Sequence, residues 1–376
     1  MTPVSLLPGD PATPLDVVLV GLGGMGEVWL SALIGPKAAA LGVRLAGVCE
    51  MDTARGRTAL HEAGGVVPLY DNITTALSSA PDIVIDCTTP NARLAITREA
   101  LMAGAHVLCE KPLAADEDTA AQLIGASARS RGHLAVSQNR RFHPGLRQLR
   151  ELVNRGDLGR PQSLMVNVHM APRFGGFRQV MRHVMLRDMA IHAFDGARAV
   201  LGTDAVSVRC IERTPEGSLF ADAPEVHALF EMSNGAMFSF YGNWAEIGPP
   251  TSWNGEWRLT LAQGAARWNG EEPAQAWVAA PPDAPGFLPD SPPHPLPEPE
   301  PHLLDILGSL ESLVTAIRSG TVPETHARDN SASLAMVFAA IRSADKDGRT
   351  EPVHRLRDIS DASAIPPPRR SRKVDR

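Results

Sequence analysis

Cysteine is scarce in this chain: Cys49, Cys87, Cys109 and Cys210 are scattered over 376 residues with no C-x-x-C pair. That spacing supplies neither a disulfide framework nor a cysteine zinc site. Basic runs are absent apart from Arg369-Arg370-Ser371-Arg372-Lys373 in a Pro-rich tail, and the net charge is -6, so no nucleic-acid footprint is readable. The opening MTPVSLLPGDPATPLD has no basic n-region and no sustained apolar stretch. It therefore reads as neither signal peptide nor membrane span, and a cytoplasmic protein is expected. His61-Glu62-Ala63-Gly64-Gly65 lacks the second histidine of H-E-x-x-H, and G-x-S-x-G is missing. Metal catalysis and serine hydrolysis are accordingly not expected.

What is present is length and alternation. At 376 residues the chain exceeds the usual limit of one core, which predicts two domains. From Leu15 to about Gln138, apolar runs (16–20, 43–49, 66–70, 82–87, 106–109 and 133–137) alternate with Ala-rich helical stretches. Runs of this kind predict a parallel sheet with crossover helices, a Rossmann-type α/β domain over 1–138. After Asn139 the runs lengthen and alternate polar with apolar (163–170, 205–213, 225–233, 236–244 and 256–263). They predict an α+β domain over 139–355 with a largely antiparallel open sheet. Ser233-Asn234-Gly235 signals a tight hairpin, and 273–301, crowded with proline, reads as a surface excursion. Helices are expected over 144–156, 303–320 and 331–344, and a disordered basic tail over 356–376.

Three constellations carry chemistry. Gly21-Leu22-Gly23-Gly24-Met25-Gly26 follows the first strand and opens a helix. In that position the first glycine allows the tight turn, the second admits a pyrophosphate, and the third lets helix pack on strand. Glu50 ends the second strand, where an acid accepts hydrogen bonds from a ribose 2′-OH and repels a 2′-phosphate. NAD is therefore preferred to NADP, with Asp52 the alternative acid and Arg55 a possible phosphate partner. Glu110-Lys111-Pro112 stops the fifth run abruptly, which puts an acid and a base at the ligand-binding edge of the sheet. Asp188 and His192, at i and i+4, share one helical face, with Asp195 three further on. A histidine beside a carboxylate suits proton exchange near neutrality. The alternative is that Asp188 caps the helix and His192 is a core histidine.

GLGGMG, CEKP and DMAIH, in this order, resemble the Gfo/Idh/MocA oxidoreductases. So do Thr88-Thr89-Pro90-Asn91, Gln138-Asn139-Arg140-Arg141-Phe142 and Gly156-Asp157-Leu158-Gly159, and the likeness runs from about Leu15 to Val353. The resemblance implies Lys111, Asp188 and His192 as catalytic residues. It implies that Gly21, Gly23, Gly24, Met25, Gly26, Glu50, Thr88, Asn91, Glu110 and Lys111 hold NAD or NADP, and that Pro112 follows a cis peptide bond. One departure stands out: Leu94 occupies the place, three after Asn91, where the family often has histidine.

The implied activity is hydride transfer between nicotinamide and a hydroxyl or keto carbon of a sugar, cyclitol or derivative. His192 would accept the proton and Lys111 would polarise the oxygen, or share the acid/base role if burial lowers its pKa. Two alternatives are a redox-neutral enzyme with tightly bound NAD and a regulator that kept the fold without the chemistry. Arg173, Arg178 and His183 lie in a cationic stretch, with Arg182 and Arg187, just before Asp188. They either line a pocket for a polyol or anionic sugar or pair with acids at a subunit contact. Trp244, Trp253, Trp257 and Trp268 read as core or interface rather than sugar platforms. A homodimer or homotetramer through the second sheet is implied, with neither nucleic acid nor membrane as partner.

Overall fold

The computed structural model describes residues 13–285, 290–299 and 302–356. The basic run of the expected tail and the opening of the chain lie outside them. The first region comprises β1 (Leu15–Val20), α1 (Gly24–Ile34), α2 (Pro36–Ala40), β2 (Val43–Cys49), α3 (Thr53–Glu62), β3 (Leu69–Tyr70), α4 (Ile73–Leu77), β4 (Ile83–Asp86), α5 (Pro90–Met102), β5 (His106–Glu110), α6 (Glu117–Arg129) and β6 (Leu134–Ser137). All its strand pairs are parallel, in the order β3-β2-β1-β4-β5-β6. The direction of winding reverses between β1 and β4, so the turns that follow them open onto the crevice where such sheets take ligands. β4 and β6 are buried at every position, as strands covered on both faces must be. The third strand is shorter than the sequence suggests, because Val66 is 98% exposed and only Leu69 and Tyr70 pair.

The second region holds α7 (Pro144–Arg155), β7 (Pro161–His169), a π-helical turn (Met185–Ala190) running into α8 (Ile191–Leu201), β8 (Ala205–Arg213), β9 (Glu225–Met232), β10 (Met237–Asn243), β11 (Glu256–Leu261), β12 (Gly264–Trp268), β13 (Gln275–Val278), β14 (Pro293–His294), α9 (Asp305–Ser319), α10 (Ala327–Ala344) and β15 (Glu351–Pro352). Its sheet runs β14-β13-β12-β11-β7-β10-β9-β8-β15 and is antiparallel except for the β7–β10 pair. Burial alternates along β9, so one face packs on a core and the other is open. The Ser233-Asn234-Gly235 turn closes the β9–β10 hairpin with Gly235 at φ 83°, a conformation that favours glycine. β13 and β14 fall inside the stretch read from sequence as a surface excursion. They are short strands at the sheet margin, where proline is tolerated.

The packing does not follow the chain division at 138. α9 returns to the first sheet: Ile306, Leu310, Leu313 and Val314 share a core with Val17, Leu19, Ile83 and Ile85. The Val136 N–H donates to the Thr325 carbonyl across the same junction. Among the described residues no helix is long and apolar enough to cross a membrane.

Candidate active site

The glycine loop shows what it was built to admit. Gly21 has φ 86°, and a Cβ there would lie 3.3 Å from the Cys87 backbone. A Cβ on Gly26 would come within 2.0 Å of the Gly21 carbonyl oxygen, so the helix can approach the strand only as glycine. At Gly23 and Gly24, by contrast, an added Cβ meets nothing within 4 Å. α1 has no side-chain cap, and its first backbone turn closes only at Glu27, which donates to the Gly23 carbonyl. Its leading N–H groups, including that of half-exposed Met25, thus face open space at the positive end of the helix dipole. That is a fitting cradle for a pyrophosphate.

Glu50 is braced against this loop: its carboxylate accepts from Leu22 N–H at 2.7 Å and Asp52 N–H at 3.0 Å. Asp52 instead caps α3, accepting from Ala54 and Arg55 N–H. Arg55 is paired with Glu27 at 2.9 Å rather than held free for a 2′-phosphate. Glu110 turns inward, taking the Trp29 indole N–H at 2.8 Å and its neighbour Lys111 N–H at 3.2 Å. It fixes α1 against β5 from within. Thr88 donates its N–H and hydroxyl to buried Asp86, at 2.9 and 2.5 Å, while Asn91 stands exposed in the first turn of α5.

Lys111 follows β5 and precedes Pro112 across a cis peptide bond, as the resemblance implies. Its Nζ donates to the Asp188 carbonyl at 2.8 Å and to Asp188 Oδ1 at 2.9 Å, joining the two regions. Asp188 Oδ2 accepts from Arg178 Nε at 2.5 Å. Burial alone would raise the Asp188 pKa, but Lys111 and Arg178 overcome it and hold the carboxyl below its ordinary range. Asp188 is therefore no helix cap. It sits in the π-helical turn, not in the continuous α-helix its spacing suggests, and such turns recur at functional sites.

His192 opens α8 and is buried, with Nδ1 sealed off and without a partner. Burial, then the charges of Arg140 and Lys111, lower its pKa well below 6.5, so the ring is neutral at pH 7. Arg140 was not singled out by its sequence. Among the described residues its guanidinium has only the Met189 thioether as a hydrogen-bond partner, at 3.5 Å, and burial pushes its pKa down to about 10 against the charges of Asp305 and Asp188. Asp195 belongs elsewhere, held by Arg141 at 2.5 and 2.8 Å and by Ser333 at 2.6 Å.

The cationic stretch divides. Arg178 spans from Asp188 to a ring stack, its guanidinium carbon 5.0 Å from the Phe174 centroid and 4.8 Å from that of Phe177. Arg173 is exposed and makes no ion pair among the described residues. His183 departs from its expected place at a substrate pocket. It is buried, its Nδ1 lies 2.5 Å from Glu212, and its N–H donates to Asp222, so its polar atoms are spent in a separate cluster. Trp244, Trp257 and Trp268 are core residues, and Trp253 is half-exposed beside Phe174.

Comparison with known proteins gives the family and the fold. Residues 15–138 match the oxidoreductase family with an NAD-binding Rossmann fold, and residues 146–267 match the GFO/IDH/MocA C-terminal domain. Inositol 2-dehydrogenase of Corynebacterium glutamicum is 27% identical over 229 residues, 59% of this chain and 65% of that one. The match thus spans slightly less than two thirds of that relative's length. The rhizopine catabolism protein MocA of Rhizobium meliloti is 28% identical over 58% of this chain and 68% of its own. An oxidoreductase from Agrobacterium radiobacter, solved with NAD+, L-tartaric acid and magnesium, superposes with a TM-score of 0.78 at 19% identity, covering 91% of this chain and 99% of that one. With both of its domains matched in order over more than half its length, the chain belongs to the GFO/IDH/MocA family of oxidoreductases.

Proposed function

We propose that this protein is an NAD-dependent dehydrogenase or ketoreductase acting on a CH–OH carbon of a sugar, cyclitol or sugar derivative. The observation that carries the reading is the Lys111–Asp188 pair, which bridges the two regions at the β5 edge with neutral His192 beside it. Relatives named inositol 2-dehydrogenase and MocA support the substrate class. Gly21 to Gly26, Thr88 and Asn91 would hold NAD, with Glu50 favouring it over NADP. When bound, NAD supplies the hydride acceptor, or as NADH the donor.

The chain's own residues do the rest. Lys111 polarises the substrate oxygen as a compact cation. Asp188 aims that ammonium and, through Arg178, ties the aromatic loop to the centre. His192, already neutral, accepts the hydroxyl proton at Nε2, since Nδ1 is sealed in. Arg140, without a strong partner, and Arg178 are free to hydrogen-bond further hydroxyl or carboxylate groups, with exposed Arg173 at the mouth. Proton and hydride movement reverse in the reducing direction.

The protein is read as a cytoplasmic homodimer or homotetramer. Its four cysteines are all unpaired, and the open face of the second sheet presents Met165, Ile211, Leu229 and Met237. The functional test is a screen of polyols and sugars with NAD and NADP, following reduced-cofactor absorbance. NAD-linked turnover of a sugar or cyclitol is expected. A cofactor spectrum in the protein as isolated, with turnover needing no added NAD, would favour the redox-neutral alternative. Failure to bind either dinucleotide would overturn the reading.

A further inference from the structure

Arg93 is a buried cation that the chemistry above does not use. It lies in the first turn of α5, two residues after the Thr88-Thr89-Pro90-Asn91 segment, and is only 1% exposed. A cation there opposes the helix dipole, and burying it without a carboxylate in direct contact carries a large desolvation cost. Among the described residues it forms no ion pair. Its guanidinium instead donates to two main-chain carbonyls, that of Thr88 at 2.6 Å and that of Pro112. Nε is buried with no partner. Leucine or methionine could fill this helix face without any of that cost.

We propose that Arg93 is a positioning residue that fixes the turn carrying Lys111, after β5, to the neighbouring Thr88–Asn91 turn, after β4, at one side of the cofactor crevice. Two carbonyls on adjacent turns, held by one rigid planar fork, fix the spacing of those turns and the direction of Lys111. Leu94, next to it, is half-buried and apolar and offers no such link. The role rests on the dehydrogenase reading above.

The test compares Arg93→Met and Arg93→Lys. In Arg93→Met, kcat should fall by about 100-fold, as expected for a reacting group displaced by about 1 Å, while NAD affinity by fluorescence stays near wild type. Arg93→Lys, which can still reach one carbonyl, should recover part of the loss. The second readout needs no turnover: labelling of Lys111 by an amine reagent, read by mass spectrometry against Lys37 and Lys346. It should rise several-fold in Arg93→Met. Unchanged Lys111 labelling in folded Arg93→Met, or a kcat loss that merely tracks lost NAD affinity and melting temperature, would overturn the proposal. If Arg93→Met does not fold, Arg93→Lys carries both readouts under the same criteria. If wild type oxidises no sugar yet the labelling contrast holds, the dehydrogenase reading falls and the positioning role stands.

Discussion

Two charged clusters lie along one continuous stretch, seven residues apart at their carboxylates, and they are finished differently. Around Asp195 every group is spent. Arg141 grips it with two nitrogens, Ser333 donates to it, and Arg141 and Arg198 both reach Asp329. Around Asp188 the carboxylate is also doubly held, yet among the described residues Arg140 meets only a thioether and His192 Nδ1 meets nothing. A closed network of charges ties the entry of the second region to α8 and α10 within it. An open one keeps donors in reserve for a molecule that arrives later. Burial does not separate them, because each cluster mixes buried with half-buried side chains; the state of their polar atoms does.

The contrast is most strongly exposed by removing one cation from each. Lys111→Ala should lower kcat by about 10³-fold, roughly 4 kcal/mol of barrier, with the denaturation midpoint nearly unmoved because Arg178 still holds Asp188. Steady-state kinetics beside chemical denaturation checks both halves, and retained turnover would remove Lys111 from the chemistry. Asp195→Asn should do the reverse. Leaving Arg141 without its buried partner should cost about 3 kcal/mol of stability, while kcat of the folded protein holds. A variant with normal stability and lost turnover would make the second cluster part of the machinery and erase the distinction.

Much of the site was legible where chemistry follows from local backbone. The glycine loop is a steric statement about consecutive residues, and Lys111 is marked by a strand that stops at proline. Spacing paired Asp188 with His192 but left a cap and a core histidine as the alternative, and only the resemblance gave them a role; the spacing argument also assumed an α-helix where the chain makes a π turn. Arg140 and Arg93 escaped because their partners are remote or unusual: a thioether 49 residues on, and carbonyls on two different turns. Arg93 did leave one local trace, a cation in the first turn of a helix where the dipole opposes it. His183 and Asp195 show the converse, since polar residues near a motif carry no label saying whether the fold has already used them. β13 and β14 were hidden by proline, which marks loops and sheet margins alike.

The smallest expected effect, a pH response, sharpens the same contrast. Burial, then Arg140 and Lys111, hold His192 well below 6.5, so its base form persists as pH falls through the range where an ordinary histidine protonates. On the proposed reading, kcat/KM for the oxidation should therefore show no half-drop at pH 6.5 and decline only further into acid. Stability should move sooner and in one direction. The unfolded chain takes up the His192 proton near 6.5 while the folded ring refuses it, so folding weakens as pH falls below 6.5. His106, lowered to about 4 by burial and by His133, adds a term of the same sign between those values. Asp329 behaves differently: burial would raise its pKa, but Arg141 and Arg198 lower it, so its contribution is intact above the ordinary carboxylate range and is lost only as pH falls through its lowered value. Between pH 6.5 and 5 the melting temperature should thus fall with the histidines while the Asp329 pairs hold and kcat/KM stays level. A kcat/KM profile centred on 6.5 would place His192 in ordinary solvent and close the difference between the two clusters.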